Sequence, residues 1–166
     1  MTESGSCNAF IALGSNLGDR KGNILMAMAA LDGLSAVPVR RSSLWASEPV
    51  DCPPESGEFI NAAVLMVTPL SPRQLLEALQ TVENSFGRVR RVRNEPRLLD
   101  LDILSMGSFQ MNTPDLVLPH PRIGDRRFVL APLVELDPHL ILPGRVESVS
   151  DLLKKAPGME IRKIPV

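Results

Sequence analysis

The sequence is poor in cysteine and in aromatic residues, and it has no long apolar run. Cys7 and Cys52 are the only two cysteines in 166 residues, too few and too far apart for a disulfide framework or a zinc site built on thiolates. No stretch approaches the roughly 20 apolar residues of a membrane span. Met1-Thr2-Glu3-Ser4-Gly5-Ser6 shows no basic region followed by an apolar core, so no secretory signal is visible and a cytoplasmic protein is expected. Nor is either sign of charge in excess: 18 Lys and Arg face 19 Asp and Glu, a formal net charge of −1, which argues against a surface built to hold a polyanion such as nucleic acid. Internal repeats, low-complexity tracts and linkers are absent as well. What remains, 44% hydrophobic and 22% charged residues, suits one ordinary globular domain over residues 1–166, with 1–8 and 158–166 peripheral.

Against this neutral background one stretch, residues 83–103, segregates its charges. Arg88, Arg90, Arg91, Arg93 and Arg97 precede a pair of carboxylates. From Leu98 the pattern is that of a strand, with Leu99, Leu101 and Ile103 on one face and Asp100 and Asp102 on the other. The two carboxylates therefore point the same way, about 6.6 Å apart along the strand. Like charges held this way repel unless a cation stands before them. A divalent metal with one or two carboxylates, its shell completed by water and phosphate oxygens, is the arrangement Mg²⁺ favours. Guanidinium forks bind phosphate bidentately and stay charged, so metal and arginines together point to a polyphosphate.

The rest of the chain supplies a scaffold. Residues 9–13 read as a strand running into the turn Gly14-Ser15-Asn16-Leu17-Gly18-Asp19, which lacks the ending of a P-loop. A helix over 21–34 follows, with Ile24, Leu25, Met28, Leu31 and Leu34 at helical spacing. Residues 37–46 and 59–68 read as strands joined by a proline-rich loop over 47–57, a length more often functional than not. Ser71-Pro72-Arg73-Gln74 is a helix start, and Leu75, Leu76, Leu79, Val82 and Phe86 line one face, with Gln80 and Glu83 on a more polar side. Gly87 ends this helix. Turn signals follow at Gly107-Ser108 and Asn112-Thr113-Pro114-Asp115. Residues 148–155 read as a short closing helix, and nothing after Gly158 carries a signal. The order strand, helix, strand, strand, helix, strand predicts an α+β fold, a ferredoxin-like α/β sandwich.

Two motifs make the reading specific. Arg97-Leu98-Leu99-Asp100-Leu101-Asp102-Ile103, preceded by Gly87-Arg88-Val89-Arg90, resembles the signature of the 6-hydroxymethyl-7,8-dihydropterin pyrophosphokinase family, and Pro119-His120-Pro121-Arg122 with Arg126-Arg127-Phe128-Val129-Leu130 resembles its second signature. The resemblance runs from Phe10 to about Leu153. It implies transfer of pyrophosphate from ATP to a pterin alcohol, a step of folate biosynthesis, by an enzyme expected to be a monomer with ATP as co-substrate and two Mg²⁺ ions held by Asp100 and Asp102. By the same resemblance Arg88 and Arg90 act with the aspartates on the transferred group, while Gln80, Glu83, Arg93, Arg97, Ile103, His120 and Arg126 bind ATP. The pterin falls to Ser47, Pro49, Val50, Phe59, Asn61 and Phe128, the two phenylalanines forming a sandwich. Loops 47–57 and 87–96 are expected to close when both substrates are bound. The chain departs from many relatives in carrying Asn94 and Glu95 before Pro96 and Asp51 in the pterin loop. No general base is evident.

A small α+β domain with a basic loop also raises the possibility of an RNA-binding module. That function needs aromatics exposed on the sheet and a broad basic surface. This chain has six aromatics, none in its central strand, and two acids there instead.

Overall fold

The computed structural model describes residues 5–48, 57–87, 98–158 and 160–165. Pro49, Val50, Asp51 and Cys52 of the proline-rich loop, and Arg88, Arg90, Arg91, Arg93, Asn94, Glu95 and Arg97 of the arginine stretch, lie outside the described residues, as does the expected closure of the two loops.

Strand β1 (Cys7–Ser15) is the spine of the sheet. Its odd residues Ala9, Ile11 and Leu13 are buried on one side and Phe10 on the other, the period of two that a strand covered on both faces requires. It pairs antiparallel with β4 (Phe59–Thr68) and with β5 (Asp100–Met106). Beyond β4 lie β2 (Arg40–Arg41) and β3 (Leu44–Ser47), and β3 carries a further strand, β8 (Ile161–Ile164). The order β5-β1-β4-β3-β8, read without β8, is the ferredoxin-like arrangement expected from the sequence.

Helices α1 (Arg20–Asp32) and α2 (Pro72–Ser85) cover one face, burying Ile24, Met28, Leu31, Leu75 and Leu79 against the odd side of β1. Each starts on a side-chain cap. Asp19 accepts from Gly22 N, and Ser71 and Gln74 form a reciprocal capping box, which satisfies backbone donors that a helix start leaves open. Helices α3 (Arg127–Leu136) and α4 (Val149–Lys155) cover the other face, where Phe10, Ala63 and Leu104 meet Leu130, Leu133 and Leu152. A hairpin of β6 (Met111–Asn112) and β7 (Val117–Leu118) follows β5.

Two expectations change, and the sheet adds a register shift. The strand expected over 37–46 is interrupted, because buried Ser42 turns its hydroxyl onto Ala63 N at 2.8 Å and so replaces a ladder bond with a side-chain one. The tail after Gly158 forms β8, paired with β3 from Leu44↔Ile164 to Ser47↔Ile161. Between Phe10 and Ile11 the β1–β5 register shifts by one residue, with Ile11 opposite Ile103 but Phe10 opposite Ser105, so Leu104 is the extra residue of a bulge.

Candidate active site

Register alone assembles the site. Gly14 is opposite Asp100 on one side and Asn61 on the other, and Asn61 is opposite Trp45. Directly paired residues share a face, so Asp100, Gly14, Asn61 and Trp45 form a row across four strands about 4.8 Å apart. Asp102, opposite Ala12, and Phe59, opposite Ser47, stand on the same face. This is the face that α3 and α4 cover further along, and the row lies at its open end: Asp100, Asp102 and Phe59 are only half-buried. Gly14 leaves the floor of the row clear, since a Cβ there would stand 3.7 Å from Asn61 Oδ1 and from the Phe59 ring.

The aspartates are fixed through the backbone between and before them. Strand β5 is at the sheet edge, and on its outer side Leu101 N donates to Glu83 Oε2 at 2.8 Å. Asn23 Nδ2 on α1 donates to Leu98 O and Leu17 O, both at 3.1 Å, which ties the turn after β1 to the start of β5. Gly18 in that turn has φ +70°, a conformation that glycine adopts without strain. The turn thus anchors the strand that carries the aspartates, in keeping with its lack of a P-loop ending.

Glu83 is a correction. The sequence places it with Gln80 on a polar side of α2, yet its side chain is buried at 6% exposure against β5, while Gln80 is exposed. A carboxylate that accepts a strand N–H can be buried where a solvated one cannot.

Asn61 is buried, and its amide N–H₂ is committed to the protein: Nδ2 donates to Ser47 Oγ at 2.8 Å and to Trp45 O at 3.3 Å. Its Oδ1 is left facing Gly14 and the open row. From the opposite layer, Arg126 occupies the position before α3 and its guanidinium stands 5.6 Å from the centre of the Phe128 ring. His120 lies before that helix, its N–H donating to Leu104 O of β5 at 2.8 Å and its Nδ1 accepting from Arg122 N at 3.2 Å. Burial pushes the His120 pKa down, the Arg126 and Arg122 charges push the same way, and Asp100 opposes them. His120, Arg126 and Asp100 therefore share one electrostatic neighbourhood.

Beside this row, along the free edge of β5, opens a pocket of about 240 Å³ whose lining includes Leu76, Leu101, Asp102, Ile103, Leu116 and His120. Its lining mixes leucine, isoleucine, valine and proline with carboxylates and an imidazole. Gln80 is one turn beyond Leu76 on the same side of α2. Asp115, another lining residue, is held by both guanidinium nitrogens of Arg73 at the start of α2, so helix and hairpin are clamped across the pocket.

Of the sequence-predicted residues that are described, Asp100, Asp102, Asn61, Ser47 and Phe59 share one sheet face; Arg126 and Phe128 are at the start of α3, in the layer that covers that face; Ile103 and His120 line the pocket, and Gln80 is one turn beyond Leu76 of its lining. Among the described residues no group of three or more His, Cys, Asp or Glu is placed to hold a metal. Two half-exposed carboxylates on a rigid strand fit a Mg²⁺ whose other positions go to water and phosphate. Asn23 and Trp45 support the site but were not singled out in the sequence, because neither belongs to either signature.

Residues 10–138 match the model of the 7,8-dihydro-6-hydroxymethylpterin-pyrophosphokinase (HPPK) family. The chain is 46% identical over 129 residues to the 2-amino-4-hydroxy-6-hydroxymethyldihydropteridine pyrophosphokinase of Bacillus subtilis, covering 77% of each chain. It is 40% identical to the Pseudomonas aeruginosa protein of the same name, over 94% of this chain and 96% of that one. A mitochondrial folate synthesis bifunctional protein of Arabidopsis thaliana is 43% identical over 76% of this chain but only 23% of its own length. Among solved structures, Plasmodium falciparum HPPK-DHPS with pterin and p-hydroxybenzoate superposes with a TM-score of 0.72 at 15% identity, over 93% of this chain and 44% of that one. The last likeness concerns fold, and the chain spans less than half the length of that structure.

Proposed function

This chain belongs to the 7,8-dihydro-6-hydroxymethylpterin-pyrophosphokinase family, and from that premise we propose that the row Asp100-Gly14-Asn61 is where its two substrates meet. The enzyme is an ATP-dependent pyrophosphokinase of folate synthesis. The pterin hydroxymethyl oxygen attacks the β-phosphorus of ATP and forms a new oxygen–phosphorus bond, the bond from the β-phosphorus to the α–β bridging oxygen breaks, the hydroxyl proton passes to water, and AMP leaves.

The observation that carries the assignment is the placing of two carboxylates and an amide carbonyl on one open sheet face, with an imidazole and a guanidinium opposite. Asn61 Oδ1, its amide nitrogen already engaged, is an acceptor aimed at the amine edge of a pterin. Phe59 on the sheet and Phe128 on α3 supply two ring faces, and such stacking adds about 0.5–1.5 kcal/mol per pair beyond area burial. The pocket along β5 takes the adenine, and His120 from its lining, together with Arg126, holds the phosphate chain. Asp100 and Asp102 hold two Mg²⁺, which when bound supply charge neutralisation on the phosphate oxygens. The protein's share is orientation and charge stabilisation, as in other phosphoryl transfers. Arg88, Arg90, Arg93 and Arg97 are assigned to the same phosphates, and Pro49 and Val50 to the pterin, on the sequence signatures. The reading is of a monomeric cytoplasmic enzyme.

AMP release with the pterin alcohol as acceptor tests this. Replacing Asp100 or Asp102 by alanine should lower the rate by about a hundredfold to a thousandfold while leaving thermal stability unchanged or slightly raised, since a like-charge repulsion is relieved. Near-normal turnover in either variant would remove the aspartates from the mechanism. ATP binding without AMP release in the wild-type chain would make it a nucleotide sensor instead.

A further inference from the structure

We propose that Glu135 is a positioning residue for the pterin side of the site, acting by clamping the face of α3 that carries Phe128 onto β3. The proposal rests on the placing of Phe128 and Asn61 given above, and it concerns a residue outside both signatures.

Glu135 lies near the C-terminal end of α3. Its carboxylate collects four donor contacts from β3 and the residue before it: Trp45 Nε1 at 2.6 Å, Ser43 Oγ at 2.8 Å, and Ser43 N at 3.2 and 3.3 Å to the two oxygens. Lys163 of β8 adds its ammonium at 3.8 Å and also stands 5.3 Å from the centre of the Trp45 ring. An acidic side chain engaged by indole, hydroxyl, amide and ammonium has little freedom, and bonds to an ionised acceptor are the stronger kind.

Two geometric facts connect this clamp to the substrate. Phe128 and Glu135 are seven residues apart on one helix, close to two turns, so they project from nearly the same side. Fixing Glu135 therefore fixes the azimuth of Phe128. Trp45 and Asn61 are direct cross-strand partners, and Asn61 Nδ2 donates to Trp45 O. The residue that Glu135 grips is thus the one that also holds the Asn61 amide. The aspartates and the pocket along β5 are on the far side of β1 and β4 from this clamp, so the effect should fall on one substrate and spare the other.

The test is a double-mutant cycle on the full-length protein with pterin and ATP titrated separately. Glu135→Ala is expected to raise the pterin KM by about tenfold, the size of one charge-assisted hydrogen bond, with the ATP KM changed less than about twofold. Glu135→Gln, which keeps an acceptor for the indole and a group for the Ser43 hydroxyl, should recover most of the loss. In a Phe128→Ala background Glu135→Ala should add less than about twofold, because the aligned ring is gone. Should Glu135→Ala not fold, Trp45→Phe removes the indole N–H together with its five-membered ring while leaving Trp45 O in place for Asn61, and should raise the pterin KM alone by a smaller factor. Equal increases for ATP and pterin, full additivity with Phe128→Ala, or no change would each overturn the proposal. If Phe128→Ala itself leaves the pterin KM unchanged, the sandwich falls, and that outcome is distinct from a Glu135 variant that is silent while Phe128→Ala is not.

Discussion

A histidine set among arginines is held neutral, and His120 carries a pH dependence for that reason. Its pKa lies below the ordinary 6.5, through burial first and through Arg126 and Arg122 second. The unfolded chain therefore binds the His120 proton at a pH where the folded chain does not, so stability is full above about 6.5 and is lost as pH falls toward the folded value. Between pH 7 and 5 the wild-type melting temperature should drop more than that of His120→Asn. Parallel curves for the two proteins would show that the imidazole does not contribute. Phosphate oxygens brought beside His120 would act in the opposite direction and raise its pKa. At this scale the sequence was most legible where motif and period coincide. Asp100 and Asp102 are on the face that alternation assigns them, whereas the burial of Glu83 depends on an N–H of a strand 18 residues away in sequence that the sheet leaves unpaired, which no local pattern displays.

Strand β5 shows how an element is held for function. It is the edge of the sheet, where backbone donors are unpaired and fraying is easiest. Glu83 satisfies the N–H of Leu101, the residue between the two aspartates. Glu83→Ala would leave that donor without its carboxylate at a cost of about 1–3 kcal/mol, and Glu83→Gln should recover part of it. Amide hydrogen exchange at Leu101 should accelerate in the alanine variant, and unchanged protection would show that the carboxylate does not secure the edge. Elements with strong internal signals were read closely: β4 has the bounds 59–68 that its apolar run predicts, and α2 starts on the Ser71-Gln74 capping box. Those defined only by a partner were not. Helix α3 has Pro132 inside it, which reads as a break, and β8 is a four-residue strand, half-buried at Ile161 and Ile164 and exposed between them, that exists because β3 offers it an edge.

For the whole molecule, β8 is a closing stave. It covers β3, its Arg162 is paired with Glu58 at the start of β4 at 2.8 Å, and Pro165 O accepts from Lys21 of α1 at 2.8 Å. Removing the chain from residue 159 onward deletes these bonds and bares an apolar strand edge. The expected loss is about 2 kcal/mol from a few backbone bonds, or about 5 °C in melting temperature for a chain of this size, with aggregation on heating. A truncated protein that melts like the full one would make β8 dispensable.

The bulge at Leu104 sets the parity of β5. Were Leu104 paired in a regular ladder counted back from Met106 opposite Ala9, Leu104 would stand opposite Ile11, Ile103 opposite Ala12 and Asp102 opposite Leu13, and every side chain before the bulge would change faces. The two carboxylates would then enter the apolar layer beneath α1 and α2, and Leu101 and Ile103 would line the open face instead. The same letters, laddered without the bulge, would spell an enzyme with its charges turned inward.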